Sequence, residues 1–228
     1  AELVRKACKG MGTNEQCLID IIFCRSNDEI KAIAAAYEKT FFRNMKEDIL
    51  DEFSGKMKRV FIAGLSMGRE SGPADPSRID SDVQALRKAT KGMGTDEAVV
   101  YSILFSRSHL HLRAVFAAFA QAYGKGIRDI MKSEFSGKIE DAILCVVDWV
   151  NSPATAAAVI IHRSIKGLGT DDKRLIACLA TCYDTCGGYG RVAAAYDLKY
   201  GPGKCAKDIK GDLSGNYEKL ALALLRIE

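Results

Sequence analysis

The sequence has few residues that break regular structure, and it has no long apolar segment. Only four prolines occur in 228 residues, three of them in two short loops. Scarce proline together with plentiful alanine and leucine favours helix. The longest apolar runs are far shorter than the roughly 20 residues that span a bilayer, so any membrane contact is expected to be peripheral.

Strong charge and a disulfide pattern are lacking as well. The net charge of +4 permits attraction to anionic surfaces but lies well short of a dedicated nucleic-acid-binding protein, so no nucleic-acid partner is expected. The eight cysteines do not suggest a small disulfide scaffold, and no signal peptide opens the sequence. Both features favour free thiols in a reducing cytoplasm.

A short stretch occurs three times, and each copy is followed by an acidic residue at a similar distance along the chain. The pattern Lys-Gly-x-Gly-Thr begins at Lys9, Lys91 and Lys166. The distal acids, each in an acid-x-Ser-Gly motif, are Glu52, Glu134 and Asp212. The separation from the second glycine to the acid is identical in the first two copies and three positions longer in the third. The first two copies also share their apolar pattern at one constant offset, so the chain consists of similar units.

Apolar residues within each unit recur with a helical period. After the first loop, Leu18, Ile21 and Ile22 follow this period, and a second helix is predicted from about Asp28 to Thr40. A short third helix precedes each distal acid, and a serine is expected to cap the helix after it. These serines are Ser54, Ser136 and Ser214. With the helix that leads into each loop, every unit is expected to contain about five helices.

The threonine after each glycine pair is predicted to cap the helix that follows. Thr13, Thr95 and Thr170 stand where an N-cap belongs, and acidic residues occupy the first turn. Gln16 is expected to complete a capping box with Thr13. Such a cap would fix each loop against a rigid helix.

One clear linker divides the chain. The segment between Ser66 and Asp82 is rich in Ser, Gly and Pro, whereas the join around Asn151 is much tighter. The expected division is therefore a first repeat at 1–67, a linker at 68–80, a second repeat at 81–150 and a third at 151–228.

The repeated loop has the chemistry of a calcium site. Two glycines with one residue between them let several backbone carbonyl oxygens face one point. A carboxylate from the other end of the unit adds one or two oxygens, and such a ligand set suits Ca²⁺. A single carboxylate predicts weak affinity, roughly 10⁻⁴–10⁻³ M, and leaves coordination positions open. A lipid phosphate could fill them, so that calcium and membrane strengthen each other's binding.

A simpler interpretation treats Gly-x-Gly-Thr as a helix-to-helix turn and the acid as a surface residue. That interpretation is favoured for a single copy. Three copies, each with its acid at a nearly constant separation, favour calcium.

Lys-Gly-x-Gly-Thr followed at this distance by acid-x-Ser-Gly resembles the signature of the annexin repeat. Arg25 and Arg107 match the arginine that closes the family's second helix. The resemblance covers essentially the whole chain and implies an all-α fold of three annexin-like five-helix repeats in a right-handed superhelical, slightly curved array. Family members normally have four repeats, and the position of the long linker makes this chain similar to repeats two, three and four.

Carried over by position, the resemblance implies three Ca²⁺ sites, each with three backbone carbonyls and one carboxylate. The first uses Cys8, Gly10, Gly12 and Glu52. The second uses Thr90, Gly92, Gly94 and Glu134. The third uses Ile165, Gly167, Gly169 and Asp212. In the family such loops dock on anionic phospholipid membranes through calcium.

The function implied by the resemblance is calcium-dependent binding to anionic phospholipid, without enzyme activity. The chain is expected to be cytoplasmic and to associate peripherally with membranes when calcium rises. An alternative is a cytoskeletal or scaffold protein of annexin fold that acts mainly through protein contacts. If the surface that a first repeat would occupy is apolar, self-association is also expected.

Other clusters of reactive side chains have simpler interpretations. Cys178, Cys182 and Cys186 have helical spacing, which is compatible with a zinc or redox site but more typical of buried cysteines. Cys182 also stands where the family's arginine is expected. The three histidines, His109, His111 and His162, suggest no catalytic triad.

Basic and aromatic residues near the loops leave two interpretations open. Lys56, Lys58 and Arg59, like the lysine that begins each motif, either contact lipid headgroups or form a solvated face. Trp149 is expected to be a packing residue rather than a membrane anchor.

Overall fold

The computed structural model describes residues 1–10, 12–66, 68–92, 94–167 and 169–227, with only the backbone of residues 66 and 183–185. Over these residues the chain contains fifteen α-helices and no strand. The first repeat comprises α1 (Glu2–Cys8), α2 (Glu15–Ile22), α3 (Asn27–Phe41), α4 (Met45–Asp51) and α5 (Gly55–Ser66). The second comprises α6 (Pro76–Ala89), α7 (Glu97–Ser106), α8 (His109–Tyr123), α9 (Ile127–Glu134) and α10 (Gly137–Asn151). The third comprises α11 (Pro153–Ile165), α12 (Asp172–Cys186), α13 (Tyr189–Tyr200), α14 (Lys204–Asp212) and α15 (Gly215–Leu225).

The all-α class and the five helices per repeat are therefore confirmed. Helix α6 begins earlier than the sequence suggested, so residues 76–80 of the expected linker are helical. The reason is local, because Pro76 suits the first turn of a helix and the Asp75 side chain accepts a hydrogen bond from the Ser77 backbone N–H.

The prediction that the motif threonines are N-caps is wrong. The next residue takes that role, as the side chains of Asn14 and Asp96 accept hydrogen bonds from Cys17 N and Val99 N. Asp171 accepts from Arg174 N in the same way. These side chains reach the first-turn amides and leave the threonine hydroxyl free to point elsewhere.

Two smaller cap predictions also fail. Gln16 donates to Asp20 Oδ1 instead of completing a capping box with Thr13. Ser214 occupies the N-cap of α15, but its side chain makes no cap hydrogen bond. By contrast, Gly187 and Gly188, with φ of 71° and 107°, follow the end of α12 at Cys186, because glycine readily adopts positive φ.

The chain divides into two compact units, Ala1–Val150 and Asn151–Glu228. In the first unit, the first and second repeats pack against each other with approximate two-fold symmetry. Phe23 and Phe105 are equivalent residues of the two repeats, and their ring centroids lie 5.2 Å from each other. Contact between equivalent residues is what a two-fold arrangement produces. Phe23 also packs on Phe61, with centroids 5.0 Å apart.

Polar contacts at the edge of this interface follow the same symmetry. Lys56 at the start of α5 donates to Glu97 at the start of α7, at 2.6 Å. Its counterpart Lys138 in α10 donates to Gln16 at the start of α2, at 3.0 Å. The first two repeats thus use the same helix pair to recognise each other.

The helix that carries the first distal acid is anchored by a buried carboxylate one turn earlier. Asp48 in α4 accepts hydrogen bonds from Tyr37 Oη at 2.6 Å, Arg43 Nη2 at 2.6 Å and Arg5 Nη1 at 3.0 Å. The hydrogen bonds from Arg43, with that from Tyr37, hold the pKa of Asp48 below its usual value despite its burial. Arg5 lies in α1, so this network fixes α4 relative to the helix that enters the loop.

The second unit contains the same arrangement with different cations. Asp208 in α14 accepts from Lys204 Nζ at 2.8 Å, Lys166 Nζ at 2.9 Å and Tyr196 Oη at 2.8 Å. Burial alone would raise the pKa of Asp208, but these hydrogen bonds outweigh it and lower the pKa to about 2. Lys166 belongs to the third loop, so the loop and the helix of its acid are tied together.

In the second repeat the corresponding positions are apolar. Phe119 and Ile130 are the counterparts of Tyr37 and Asp48, and both are buried. In the second repeat, apolar packing therefore anchors the acid-bearing helix at the position where hydrogen bonds anchor it in the other two repeats.

The third repeat lacks both partners of an ion pair that the second repeat contains. In the second repeat, Arg107 Nε donates to Asp82 Oδ2 at 2.7 Å. The counterparts in the third repeat are Cys182 and Ala157, both buried. Removing both charges together avoids the cost of leaving one of them buried and unpaired.

We expect Gly64→Ala to destabilise the pairing of the first two repeats. A Cβ at Gly64 would overlap Cε1 of Phe23, and that ring is held between Phe61 and Phe105. Overpacking of this kind costs about 1–3 kcal/mol, which should lower the midpoint of thermal unfolding. Gly211→Ala is the matched control, because its Cβ would meet open space. Equal stability of the two variants would contradict the prediction.

We expect Asp208→Asn to cost about 2 kcal/mol of stability at neutral pH, since the pKa of Asp208 falls from 3.8 to about 2 on folding. A carboxyl with a lowered folded pKa stabilises the protein above its unfolded pKa and loses that effect as pH falls from about 4 to about 2. The variant should therefore lose less stability than the native chain over this interval. Thermal unfolding followed by circular dichroism tests both effects, with the exposed Asp28→Asn as control; identical acid dependence in both chains would refute the assignment.

Candidate functional site

The three loops share one backbone closure. In each, the residue after the motif threonine donates its N–H to a carbonyl near the end of the preceding helix. The bonds are Asn14 N to Ala7 O at 3.0 Å, Asp96 N to Ala89 O at 2.9 Å and Asp171 N to Ser164 O at 2.8 Å. In all three loops the same number of residues separates the donor from the acceptor, so the three loops are closed in the same way. The central residues of the motifs, Met11, Met93 and Leu168, lie outside the described residues.

The second glycine of each motif is required by its backbone conformation. Gly12, Gly94 and Gly169 have φ of 93°, 90° and 83°. Side chains of L-residues rarely adopt this region, whereas glycine does so readily. An added Cβ would meet nothing within 4 Å, so conformation and not space demands glycine here.

The carbonyl oxygens expected to bind calcium lack hydrogen-bond donors in the part of the chain that the structure describes. They belong to Cys8, Gly10, Gly12, Thr90, Gly92, Gly94, Ile165, Gly167 and Gly169. Among the described residues, no turn, loop or side-chain donor hydrogen-bonds to any of these nine oxygens. Carbonyls at helix ends and in turns need such partners, so water or a cation can take that place.

Each distal acid is held against its loop by the motif threonine. The hydroxyl donates to one carboxylate oxygen at 2.6 Å in all three repeats: Thr13 to Glu52, Thr95 to Glu134 and Thr170 to Asp212. Within the described part of the chain, the other carboxylate oxygen accepts no hydrogen bond. The fold thus brings every expected carboxylate, although it is distant in sequence, to the edge of its own loop.

This threonine contact is the feature that the sequence interpretation missed. A signal was present, because threonine recurs in all three copies while an Asn or Asp beside it already suits the N-cap. One N-cap residue is enough for a helix. Because the Asn or Asp takes that role, the threonine hydroxyl is free to bond to the distal carboxylate.

The donor set fits a hard cation bound through oxygen. Three neutral carbonyls with one carboxylate match the preference of Ca²⁺ for oxygen ligands and leave room for water or an anion. The thiol of Cys8 is not a ligand candidate, because burial, together with Glu52 and Asp48, raises its pKa to about 12. Only its carbonyl is suited to the site.

The zinc alternative finds no support. Cys178, Cys182 and Cys186 lie on α12 and are buried. In the described ranges, no three His, Cys, Asp or Glu side chains are grouped so that they could hold a metal ion. These cysteines are core residues.

The remaining polar candidates near the loops differ in their surroundings. Lys56 and Arg59 both pair with Glu97, at 2.6 Å and 3.5 Å. Lys9 and Lys91 are exposed beside their loops, whereas Lys166 bonds to Asp208.

Two histidines and the tryptophan have structural roles. His111 accepts from Asp75 N through Nδ1, and its Nε2 lies 3.0 Å from Asp82 Oδ2, so it ties the linker to α6 and α8. His162 bonds through Nδ1 to Tyr196 Oη, at 2.7 Å. Trp149 is buried, which confirms its packing role.

Comparison with known proteins agrees with this geometry. The family model described as Annexin matches residues 1–63, 81–146 and 155–224. The chain is 37% identical over 223 residues to Annexin A4 of Mus musculus, covering 97% of this chain and 69% of that protein. It is 33% identical over 228 residues to Annexin A13 of Homo sapiens, covering 99% and 71%.

A solved structure of annexin III superposes with a TM-score of 0.87 at 30% identity, over 98% of this chain and 69% of that chain. The relatives are annexins, which are binding proteins and not enzymes, and they support calcium-dependent membrane binding as the general activity. The matched residues include all three loops and all three distal acids. The chain belongs to the annexin family.

Proposed function

We propose that this chain binds anionic phospholipid membranes peripherally and only with calcium, through its three Gly-x-Gly-Thr loops. The observation that carries the proposal is the 2.6 Å hydrogen bond from each motif threonine to its distal carboxylate. It supports the proposal because it ties the carboxylate of each repeat to the loop that carries the three expected carbonyl ligands.

Each site would hold Ca²⁺ with three carbonyl oxygens and the carboxylate. One carboxylate neutralises only half of the charge of the ion, so the bound calcium stays positive and incompletely coordinated. A lipid phosphate can supply both the missing charge and the missing oxygen. Calcium then raises the affinity for lipid, and lipid raises the affinity for calcium by the same factor.

The threonine prepares the carboxylate for this role. Its hydroxyl holds one oxygen of the carboxylate at the loop and so restricts the motion of the side chain. Preorganisation of this kind reduces the side-chain entropy lost when calcium binds. A weak site with few charged ligands benefits most from such an arrangement.

Peripheral attachment agrees with the helices of the chain. Among the described residues, none forms a helix both long and apolar enough to cross a membrane. The exposed ammonium groups of Lys9 and Lys91 stand beside the first two loops and can attract anionic headgroups. We assign the protein to the cytoplasm, with membrane association when calcium rises.

The three sites should differ in quality. The second loop, with Gly92, Gly94 and Glu134, lies on a repeat in which the apolar Ile130 replaces the buried aspartate of the other two acid-bearing helices. In the third loop, Lys166 is drawn to Asp208 and so contributes less to the attraction of lipid. We therefore expect the second site to bind calcium most tightly.

Vesicle sedimentation tests the proposal. The chain should pellet with phosphatidylserine vesicles in calcium and remain in the supernatant with excess chelator. Glu134→Gln should raise the calcium concentration needed for half-maximal pelleting roughly threefold to tenfold, because the other two loops keep their carboxylates. The triple variant Glu52→Gln, Glu134→Gln, Asp212→Asn should not pellet at all.

The control for these variants is Glu38→Gln, which makes the same chemical change on the exposed surface of α3. It should pellet like the native chain. If the triple variant pelleted normally, the three loops would not be the binding sites; if the native chain never pelleted, the scaffold alternative would replace membrane binding as the function.

The role of the threonine is tested with the second site alone, in the background Glu52→Gln, Asp212→Asn. Thr95→Val should weaken calcium binding about fivefold to tenfold, since a hydrogen bond to a charged group contributes roughly 1.5–3 kcal/mol, part of which the carboxylate recovers from water. Thr95→Ser should restore binding. Calcium titration in the presence of phosphatidylserine vesicles measures the effect, and equal binding by all three chains would argue against preorganisation.

A further inference from the structure

Two cysteines from different repeats touch each other inside the first unit. The thiol of Cys24, just after α2, and the thiol of Cys145, in α10, are hydrogen-bonded to each other. Cys24 is only 1% exposed, so the contact lies in the interior of the unit. The two residues are distant in sequence, and it is the pairing of the first two repeats that brings their sulfur atoms together.

A second contact between the same two segments supports this geometry independently. Lys138 at the start of α10 donates to Gln16 at the start of α2, at 3.0 Å. Cys24 follows Gln16 by eight residues and Cys145 follows Lys138 by seven, which is about two helical turns in each case. The two segments therefore run side by side in the same direction, and the thiol contact falls where the first contact predicts it.

The pairing of the repeats does not itself require sulfur at these positions. At the constant offset between the first two repeats, the counterpart of Cys24 is Ser106 and the counterpart of Cys145 is Ala63. Ala63 is 4% exposed, so the interface packs there without a thiol. A buried cysteine is usually a packing residue, but two cysteines in contact at an interface that does not need them suggest sulfur chemistry.

We propose that Cys24 and Cys145 are a redox-responsive pair, which hydrogen peroxide converts to a disulfide that links the first two repeats. One cysteine, as its thiolate, attacks the peroxide; the O–O bond breaks, hydroxide leaves and a sulfenic acid forms. The sulfur of the other cysteine then attacks this sulfenic sulfur, so that the S–S bond forms and the S–O bond breaks with loss of water. In total, two thiols lose two electrons and two protons, and one peroxide becomes two molecules of water.

The contact favours the disulfide over other oxidation products. Sulfur atoms in hydrogen-bond contact need only a small further approach to reach the S–S bond length of about 2.05 Å. A sulfenic acid on either residue has a thiol beside it, which competes with oxidation to the irreversible sulfinic and sulfonic acids. Hydrogen peroxide is scarcely larger than water and enters during brief local opening, whereas a bulky thiol such as glutathione is excluded from the buried Cys24.

The surroundings of the pair make the reaction slow at neutral pH. The hydrogen bond with Cys24, together with burial, raises the pKa of the Cys145 thiol, and the carboxylates of Asp20 and Asp148 raise it further. Asp148 is itself paired with Arg128 at 2.6 Å. Because the thiolate is the nucleophile, a raised pKa lowers the rate of oxidation. The pair therefore stays reduced under ordinary reducing conditions and responds to sustained oxidation.

The disulfide would close a loop that includes most of the first unit. Closing a long loop removes much conformational entropy from the unfolded chain, so the folded unit becomes more stable. The bond would also fix the first repeat to the second at the interface that contains Phe23 and Phe105. Neither calcium nor lipid takes part in this inference.

The experiment oxidises the full chain with hydrogen peroxide in chelator, without lipid and at mildly alkaline pH. The remaining thiols are then blocked in denaturant, and the tryptic peptides are analysed without reductant. A peptide pair joined through Cys24 and Cys145 should appear, and fragmentation must assign the bond to Cys24 rather than to Cys17 on the same tryptic peptide. The midpoint of thermal unfolding should rise by roughly 5–15 °C, and dithiothreitol should reverse both changes.

Matched variants come from the chain itself. Cys24→Ser and Cys145→Ala each introduce the residue found at the equivalent position of the other repeat, and each should lose the joined peptides and the thermal shift. Cys205→Ser removes another buried thiol, from the second unit, and should be oxidised like the native chain.

The peptide analysis of the native chain decides the matter even if a variant fails to fold. Free thiols at Cys24 and Cys145 after oxidation, or sulfonic acids there without a joined peptide, would overturn the proposal. So would a thermal shift that persists in a folded Cys24→Ser variant.

Discussion

The hydrogen bond from the motif threonine to the distal carboxylate is the constraint on which the candidate site depends. It joins two distant parts of each repeat, and it has the same length of 2.6 Å in all three repeats. Without it, the loop would offer neutral carbonyls alone, which are poor competitors with water for a divalent ion. With it, a carboxylate oxygen is present at the loop before any cation binds.

The repeats keep this contact by different means. Asp48 and Asp208 anchor the acid-bearing helices through buried hydrogen bonds to tyrosine and to basic side chains. The second repeat uses Phe119 and Ile130 in their place. A hydrogen-bonded anchor depends on pH because its aspartate must stay ionised, whereas an apolar anchor does not. The acid-bearing helices of the three repeats are therefore held by anchors that differ in their dependence on pH.

The sequence predicted the helices well but missed how each loop and its distal acid are tied together. Helical period and the glycine motifs are local patterns, and they led to the five helices per repeat and to the loops. The cap at Asn14 and the role of Thr13 depended on a competition between two neighbouring side chains, which local propensity ranks almost equally. The Thr13–Glu52 contact is long-range, and the start of α6 was obscured by a segment rich in turn residues. The ligand assignment itself remains a prediction.

Repetition explains how one repeat can carry both a pairing face and a loop. A repeat must bury one apolar helix face, and in the first unit two repeats do so by pairing with each other around Phe23 and Phe105. The loops are formed by other residues of the same repeat, so pairing does not consume them. The third repeat forms the same loop contact, with Thr170 donating to Asp212 at 2.6 Å, although it takes no part in the pairing of the first unit. The loop contact is therefore a property of the single repeat.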